Sequence, residues 1–285
     1  MKIPDNTKIQ SIDLVVSDLE KSLAFYSRLL GFKEITRDGN TAYLSAGGSY
    51  PYVFSLTENK SGKFPLQNNT GLYHIAIRFP GRKELAKIFM HLFENKVKFQ
   101  GFSDHLVSEA IYLADPDGNG VELYADKPKE TWQWRMGQVE MSTLPLNLQV
   151  LTAELNKDEK KFDGLHPETE IGHIHLKVSE LFKAEKFYSH LMGFNITSSS
   201  YNGALFFAAN GYHHHIGTNV WSSQRGTPPK ENSFGLKSFT IKLPDEDYTR
   251  DIEEKAKNSG IETAKTSDGK TILHDFDNNK IILTL

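Results

Sequence analysis

The chain has 285 residues, of which 38% are hydrophobic and 24% charged, so it is long enough for two domains that each bury a core. Its net charge of -3 offers no basic surface for a nucleic acid, and the sequence contains neither a membrane span nor a secretory signal, which predicts a cytoplasmic protein. The absence of cysteine excludes disulfides and thiolate sites, so any bound metal must be held by His, Asp or Glu.

The first predicted elements are a strand and a helix between Ser11 and Phe32, in the stretch SIDLVVSDLEKSLAFYSRLLGF. Its opening β-branched and aliphatic residues favour a strand. Ser17 stands where a helix N-cap is expected, apolar residues then recur at roughly helical spacing, and Gly31 falls where a left-handed residue ends a helix. The β-like runs TAYLSAGG and YVFSLTE follow, so the unit reads as a strand, a helix and about three strands.

The same unit recurs three more times along the chain. The second copy is GLYHIAIRFPGRKELAKIFMHLFEN through GVELYAD, the third opens with HIHLKVSELFKAEKFYSHLMGF, in which Ser179 is the expected N-cap, and the fourth is GLKSFTIKLPDEDYTRDIEEKAKNSG through KIILTL. A single unit cannot cover its own sheet face, so we expect units to pair around curved half-barrel clefts. The predicted fold class is α+β, with two clefts and four βαβββ modules at residues 7–60, 70–126, 169–222 and 234–285.

The modules are predicted to form two domains joined by a long linker. Residues 7–126 hold the N-terminal pair of modules, and residues 169–285 hold the C-terminal pair. The linker, residues 127–168, contains three prolines together with Trp132 and Trp134. We expect the tryptophans to pack this crossover against a domain.

This fourfold organisation resembles the vicinal oxygen chelate superfamily, which includes glyoxalase I, extradiol ring-cleaving dioxygenases and resistance proteins of the bleomycin and fosfomycin type. In that superfamily the metal ligands come from the first and last strands of a module, and the first-strand ligand lies seven residues before the residue that opens the helix. In the four modules this position holds Ser11, His74, His173 and Ser238. The last-strand position holds Glu122 in module two, five residues after Asp117, whereas modules one, three and four offer Leu56 or Ser55, Gly217 or Thr218, and Ile282.

The resemblance therefore implies one metal site, formed by His74, Glu122 and His173, and one cleft without a metal. Two imidazoles and a carboxylate that leave coordination positions open are the ligand set of non-haem Fe(II) oxygenases, so Fe(II) is the predicted cofactor, and Mn(II) would accept the same ligands. Because the ligands come from modules two and three, we expect these modules to line one cleft with their first strands side by side. Modules one and four would form the other cleft; sequential pairing would break the site unless chains exchange partners.

Two further motifs carry candidate acid–base residues. The stretch SDHLVSEAIYLADPDGNGVELY resembles the last strands of the extradiol dioxygenase catalytic module, which implies roles for His105 and for Tyr112, ten residues before Glu122. The stretch GYHHHIGTNVW resembles the start of the last strand of module three in those enzymes, which carries a histidine. The candidates for that position are His214, then His215, with His213 reachable by a one-residue shift.

The resemblance thus implies an Fe(II)-dependent extradiol dioxygenase that cleaves a catechol or a related hydroquinone with O2 to a ring-opened semialdehyde. His105 would be the partner of the substrate hydroxyl, Tyr112 would hydrogen-bond the ring oxygen, and His214 would deliver a proton. A glyoxalase-like isomerase or lyase usually has a fourth ligand, which Gly217 and Thr218 do not offer. A non-enzymatic drug-binding resistance protein would not need the aligned ligands. Neither nucleic acid nor a membrane is an expected partner, and a homo-oligomer is left open.

Overall fold

In the computed structural model, which describes residues 2–156 and 162–285, each module is a strand, a helix and three further strands. Module one consists of β1 (Lys8–Val16), α1 (Leu19–Leu23, continued by a π-helical stretch over Ala24–Leu29), β2 (Lys33–Asp38), β3 (Thr41–Ser45) and β4 (Phe54–Glu58). Module two consists of β5 (Gly71–Phe79), α2 (Arg82–Glu94), β6 (Gly101–Asp104), β7 (Ser108–Ala114) and β8 (Gly120–Asp126).

The linker carries short elements, and the last two modules repeat the pattern. The linker elements are a 3-10 turn (Lys129–Thr131), β9 (Trp134–Arg135), β10 (Gln138–Val139), β11 (Leu144–Pro145) and α3 (Leu148–Thr152). Module three consists of β12 (Glu170–Lys177), α4 (Leu181–Ala184, continued by a π-helical stretch over Glu185–Leu191), β13 (Asn195–Ser198), β14 (Ala204–Ala208) and β15 (Ile216–Asn219). Module four consists of β16 (Gly235–Lys242), α5 (Glu246–Asn258), β17 (Ala264–Lys265), β18 (Thr271–His274) and β19 (Lys280–Thr284).

The strands of the four modules form two large mixed sheets. One sheet has nine strands in the order β11-β6-β7-β8-β5-β12-β15-β14-β13, and the other has eight in the order β17-β18-β19-β16-β1-β4-β3-β2. Each large sheet therefore combines one module from each half of the chain, modules two and three in the first and modules one and four in the second. The predicted α+β fold class, with four βαβββ modules in two curved sheets, is confirmed.

The first strands of modules two and three are neighbours in the nine-stranded sheet. β5 and β12 run antiparallel, with His74 opposite His175. β5 also pairs in parallel with β8, the last strand of its own module, and Ala76 lies beside Glu122 in this register. Because side chains alternate across a strand, His173 and His175 share one face of β12, while Ile174 on the other face joins the hydrophobic core.

The start of the first helix differs from the prediction by one residue. Asp18 is the N-cap of α1, and α4 starts one residue late in the same way. Ser17 instead donates its backbone N–H, at 2.8 Å, and its hydroxyl to Asp117 in the turn before β8. Likewise the backbone N–H of Ser179 donates to Asp277, at 3.0 and 3.1 Å, in the turn before β19. The serines hold the turn of the following module, and the next residue takes the N-cap position; Asp18 accepts the N–H of Lys21 there, whereas the side chain of Glu180 makes no capping hydrogen bond.

The linker contributes an edge strand to the nine-stranded sheet, because β11 pairs with β6. Trp132 is buried against the rings of Tyr212 and His213, so the expected packing holds for this residue. Trp134 is 39% exposed and lies at a surface cleft that residues of module three also line. Within the described parts of the chain, no helix has the length and apolar character that crossing a membrane requires.

Candidate metal centre and cleft

Three side chains converge at the centre of the nine-stranded sheet, one each from β5, β8 and β12. The Nε2 atom of His74 lies 2.9 Å from Oε2 of Glu122 and 3.4 Å from Nε2 of His173. The third edge, from Nε2 of His173 to Oε2 of Glu122, measures 3.3 Å. All three residues are buried, with exposed fractions of 8%, 3% and 2% in chain order. The structure therefore brings the three sequence-predicted ligands together within one chain.

The spacing of these donor atoms suits one metal ion. Ligand atoms at about 2.1 Å from an ion, mutually at right angles, are about 3.0 Å apart, which is close to the three measured edges. The set contains two nitrogens and one oxygen from three sides and leaves the cavity side free. Among the residues that the structure describes, this is the one group of three His, Cys, Asp or Glu side chains with such convergence. The residues present fit an open, facial metal site.

The protonation states also suit metal binding. Burial raises the pKa of Glu122, but the imidazoles of His173 and His74 outweigh burial and hold it well below its ordinary value. Burial lowers the pKa of His173 to about 4, although the Glu122 carboxylate opposes the shift. The carboxylate is thus ionised and the His173 imidazole neutral near pH 7, which are the forms that bind a metal.

A cavity of about 600 Å³ opens in front of the three ligands and contains both candidate proton-transfer residues of module two. The hydroxyl of Tyr112 lies 2.7 Å from Nε2 of His105, and Nδ1 of His105 lies 2.7 Å from the backbone carbonyl oxygen of Ser142. Since a carbonyl oxygen only accepts, Nδ1 of His105 donates to it. In the neutral ring Nε2 is then the acceptor, and the Tyr112 hydroxyl donates to it.

Tyr112 on β7 pairs directly with Glu122 on β8, so the two side chains share one face of the sheet, as their even spacing predicts. Burial raises the pKa of Tyr112 well above its ordinary value, and the negative charge of Glu122 raises it further. The phenol therefore stays protonated near neutral pH. It is a hydrogen-bond donor beside the metal ligands.

The three consecutive histidines of module three have different surroundings. His214 lines the cavity, and its ring centroid lies 4.0 Å from that of His173. Burial lowers the pKa of His214 well below its ordinary value. His215 is not among the residues that line the cavity; its Nδ1 accepts the backbone N–H of Ala209 at 3.2 Å. The structure thus brings His214 to the candidate site and turns His215 away from it.

Sequence reasoning missed one cavity residue close to the metal ligands. His175 is buried, its ring centroid lies 4.9 Å from that of His74, and its Nε2 lies 3.0 Å from the side-chain amide nitrogen of Asn219. The amide is a donor, so Nε2 of His175 accepts. Tyr73 and Trp221 line the same end of the cavity and contact this ring. The spacing of His173 and His175, two apart on one strand, was the signal that could have revealed it.

The eight-stranded sheet has a carboxylate in place of metal ligands. Asp13 on β1 is buried and accepts hydrogen bonds from Ser55 at 2.5 Å, Ser238 at 2.6 Å and Tyr52 at 3.2 Å. Ser238 occupies the first-strand position at which His74 stands in module two. Hydroxyl groups satisfy this buried carboxylate, so the second sheet has a closed polar cluster where the first has its open ligand set.

The comparisons with known proteins agree with this fold. A family model described as "Glyoxalase/Bleomycin resistance protein/Dioxygenase superfamily" matches residues 8–123. Over 122 residues, 41% of this chain and 82% of the relative, the chain is 32% identical to metallothiol transferase FosB of Lysinibacillus sphaericus (strain C3-41). The chain belongs to the glyoxalase/bleomycin resistance protein/dioxygenase superfamily, so the predicted family is confirmed. Within it the chain is a homologue of catechol-2,3-dioxygenase of Bacillus subtilis (strain 168), with 41% identity over 268 residues, 93% of this chain and 92% of that one.

Solved structures share the fold at low sequence identity. A putative dioxygenase from Bacillus subtilis subsp. subtilis str. 168 has a TM-score of 0.69 and 12% identity, covering 99% of this chain and 86% of that one. Glyoxalase I from Zea mays has a TM-score of 0.60 and 16% identity, covering 98% and 92% of the two chains. These similarities establish a common architecture and carry no information on activity.

Proposed function

We propose that this chain is an Fe(II)-dependent extradiol ring-cleaving dioxygenase, which acts on a catechol or a related hydroquinone and yields a ring-opened semialdehyde. The observation that carries the proposal is the presence, in one cavity, of an open two-histidine, one-carboxylate set together with proton-transfer groups from two different modules. The homology to catechol-2,3-dioxygenase supports the same reaction class.

His74, Glu122 and His173 would hold the metal. When bound there, Fe(II) would supply one centre at which both substrate oxygens and O2 can meet and exchange electrons. The same ligands would accept Mn(II). A glyoxalase-like isomerase usually has a fourth ligand, and at the corresponding position in module three the chain has Gly217, which offers none.

The rest of the cavity suits a flat aromatic diol. Its lining includes the rings of Tyr73, Tyr201, Phe206 and Trp221, which can contact the faces and edges of a substrate ring. The volume of about 600 Å³ lies well within the range of roughly 300–1,000 Å³ that is usual for small-molecule sites. Catechol is small for such a volume, so a ring with substituents fits the cavity better.

His105 and Tyr112 would manage the hydroxyl groups of the substrate. With Nδ1 donating to the Ser142 carbonyl, Nε2 of His105 is free to accept a proton from a substrate hydroxyl once the Tyr112 hydroxyl turns to a new partner. The protonated Tyr112 can then donate a hydrogen bond to the ring oxygen as that oxygen becomes a ketone. In this hydrogen-bonded pair, His105 is the proton acceptor and Tyr112 is the hydrogen-bond donor.

His214 would act in the part of the reaction that involves O2. Its ring lies over His173 and projects from the module-three wall of the cavity, and Phe206 packs against it. From this position it can accept a proton from the substrate and return it during cleavage of the O–O bond. Hydrolysis of the resulting lactone would release the semialdehyde.

The test is an oxygen-uptake assay on anaerobically purified protein reconstituted with Fe(II). A panel of catechols and hydroquinones should show O2 consumption matched by the absorbance of a yellow ring-cleavage product for at least one diol. A His173→Ala variant should show neither. Wild-type protein that binds iron in a one-to-one ratio and yet consumes no O2 with any diol would contradict the proposal.

A further inference from the structure

A series of hydrogen bonds leads to His214 from Arg78 and Asp126, two partly exposed residues outside the cavity. Arg78 donates to Oδ2 of Asp126 at 3.2 Å, and Oδ1 of Asp126 lies 2.9 Å from Nε2 of His213. Nδ1 of His213 in turn lies 2.8 Å from Nδ1 of His214. His213 is fully buried, whereas His214 lines the cavity, and among the described residues Nε2 of His214 has no hydrogen-bond partner.

The chemistry of the carboxylate determines the direction of these hydrogen bonds. An ionised Asp126 only accepts hydrogen bonds. Burial raises the pKa of this carboxyl group, but His213 and Arg78 outweigh burial and hold it below the ordinary value. Nε2 of His213 must therefore carry a hydrogen. In the neutral ring Nδ1 of His213 has the lone pair, so Nδ1 of His214 is the donor of the next bond. Nε2 of His214 then carries the lone pair.

Aromatic side chains pack around His213, the middle member of this series of hydrogen bonds. The ring of Tyr212 lies 4.1 Å from that of His213, and its hydroxyl donates to Asp126 at 3.0 Å. The ring of Trp132, from the linker, also packs against His213, with its centroid 5.3 Å from that of the imidazole. Neither Asp126 nor His213 lines the cavity.

We propose that Asp126 and His213 are positioning residues, which hold His214 in the tautomer with hydrogen on Nδ1 and so present a lone pair on Nε2 to the cavity. The catalytic use of this lone pair rests on the proposed function, whereas the tautomer itself does not. The inference adds two residues, neither of which contacts the substrate cavity, to the proposed proton-transfer machinery.

An Asp126→Asn substitution should reverse the tautomer. The amide has one acceptor oxygen, and Arg78 can only donate, so the oxygen should turn to Arg78 and the NH2 group to His213. Nε2 of His213 would then accept, Nδ1 of His213 would donate to His214, and the hydrogen of His214 would move to Nε2. The same amide-for-carboxylate exchange is known to impose the wrong histidine tautomer in serine proteases.

The matched control is Glu170→Gln. Glu170 also accepts a hydrogen bond from Arg78 but has no contact with His213. This variant therefore removes a negative charge beside the same arginine and leaves the hydrogen bonds of His213 unchanged. A His213→Phe variant keeps a buried ring and removes both nitrogens. It provides a second disruption if Asp126→Asn folds poorly.

The first measurement is the tautomer of His214 by two-bond ¹H–¹⁵N NMR on protein with ¹⁵N-labelled histidine, loaded with diamagnetic Zn(II), with His214→Gln used for assignment. Wild type and Glu170→Gln should show hydrogen on Nδ1, and Asp126→Asn should show it on Nε2. His213→Phe should give a mixture. Hydrogen on Nε2 of His214 in the wild type, or an unchanged tautomer in Asp126→Asn, would overturn the inference.

The second measurement is steady-state kinetics of the Fe(II)-loaded protein. Asp126→Asn should lower kcat by roughly 10–100-fold, with KM unchanged, as is typical for residues that orient a functional side chain. Glu170→Gln should keep the wild-type kcat. A reversed tautomer with unchanged kcat would contradict the role in catalysis. A wild type without activity would instead contradict the proposed function, while the NMR result would still decide the tautomer.

Discussion

His175 lies directly beside Gly217 in the parallel pair β12 and β15, whereas the corresponding pair in module two is Ala76 beside Glu122. The large and small side chains have thus changed places between the two modules. In module two the small residue leaves room for a metal ligand. In module three the glycine leaves room for an imidazole, since a Cβ at position 217 would lie 3.0 Å from the His175 ring. The same strand register therefore places a candidate metal ligand, Glu122, in module two and a cavity-lining imidazole, His175, in module three.

Gly217→Ala should destabilise the protein through this contact. The added methyl group must displace the His175 ring, which is buried among aromatic side chains, and overpacking of this kind costs about 1–3 kcal/mol of unfolding free energy. Chemical denaturation of the single variants and of Gly217→Ala/His175→Ala measures the coupling. The penalty should largely disappear in the His175→Ala background; purely additive effects would mean that the ring does not carry the cost.

Metal binding should depend on all three candidate ligands. Single substitutions His74→Ala, Glu122→Ala and His173→Ala should each abolish stoichiometric iron binding, because two remaining donors cannot hold the ion. Metal content after anaerobic reconstitution and desalting, measured by plasma mass spectrometry, checks this. His190→Ala on the exposed surface and Glu109→Gln, a buried glutamate paired with Arg82, are matched controls that should retain the metal. Full occupancy in two of the three ligand variants would rule out the site.

The relay of His105 and Tyr112 should affect turnover and leave metal binding intact. His105→Gln and Tyr112→Phe should keep iron and lower kcat by roughly 10²–10⁴-fold, because each removes a group that transfers a proton or stabilises a developing charge. Tyr43→Phe, in the eight-stranded sheet, controls for the loss of a phenol. Loss of iron in both relay variants would show that these residues support the metal site and do not act on the substrate.

His214 and His215 provide a sharp contrast between neighbours. His214 lines the cavity, whereas His215 bonds to the backbone of Ala209, so His214→Gln should lower kcat by roughly 10²–10⁴-fold and His215→Gln should retain most of it. Steady-state kinetics on the two iron-loaded variants checks this. The reverse order of effects would transfer the proposed role to His215.

Sequence spacing was sufficient for the fold class and for the three candidate ligands, because modules repeat in register. His74 and His173 occupy equivalent positions on first strands, and strand alternation then directs both to one face. Spacing could not choose among the three consecutive histidines, because they precede β15 in an irregular segment where alternation does not apply.

Other features could not be predicted from the sequence, because they depend on which distant segments the folded backbone brings together. The partner of His105 is the carbonyl of Ser142, and any residue type in the linker can supply a carbonyl, so no sequence pattern marks it. Ser17 was expected to cap a helix, since nothing in its local sequence reveals that Asp117, one hundred residues away, takes its N–H. Local patterns identify elements, and long-range hydrogen bonds then adjust their ends.

Acid should destabilise the protein partly through His215, which is buried and does not line the cavity. Burial lowers the pKa of His215 to about 3, and the neighbouring imidazole of His213 acts in the same direction. The lone pair of Nδ1 accepts the N–H of Ala209, so protonation would also break this bond. In the unfolded chain the pKa is about 6.5, so between pH 6.5 and 3 the unfolded state binds the additional proton, and stability falls as the pH falls.

The prediction is a difference between wild type and His215→Gln, which does not titrate at this position. Between pH 7.5 and 5 the wild type should lose about 2 kcal/mol more unfolding free energy than the variant, because the two pKa values lie on opposite sides of pH 5. Urea denaturation of both metal-free proteins at the two pH values measures it, and metal-free samples avoid proton release by bound metal. Parallel pH profiles for the two proteins would mean that His215 titrates alike in the folded and unfolded states.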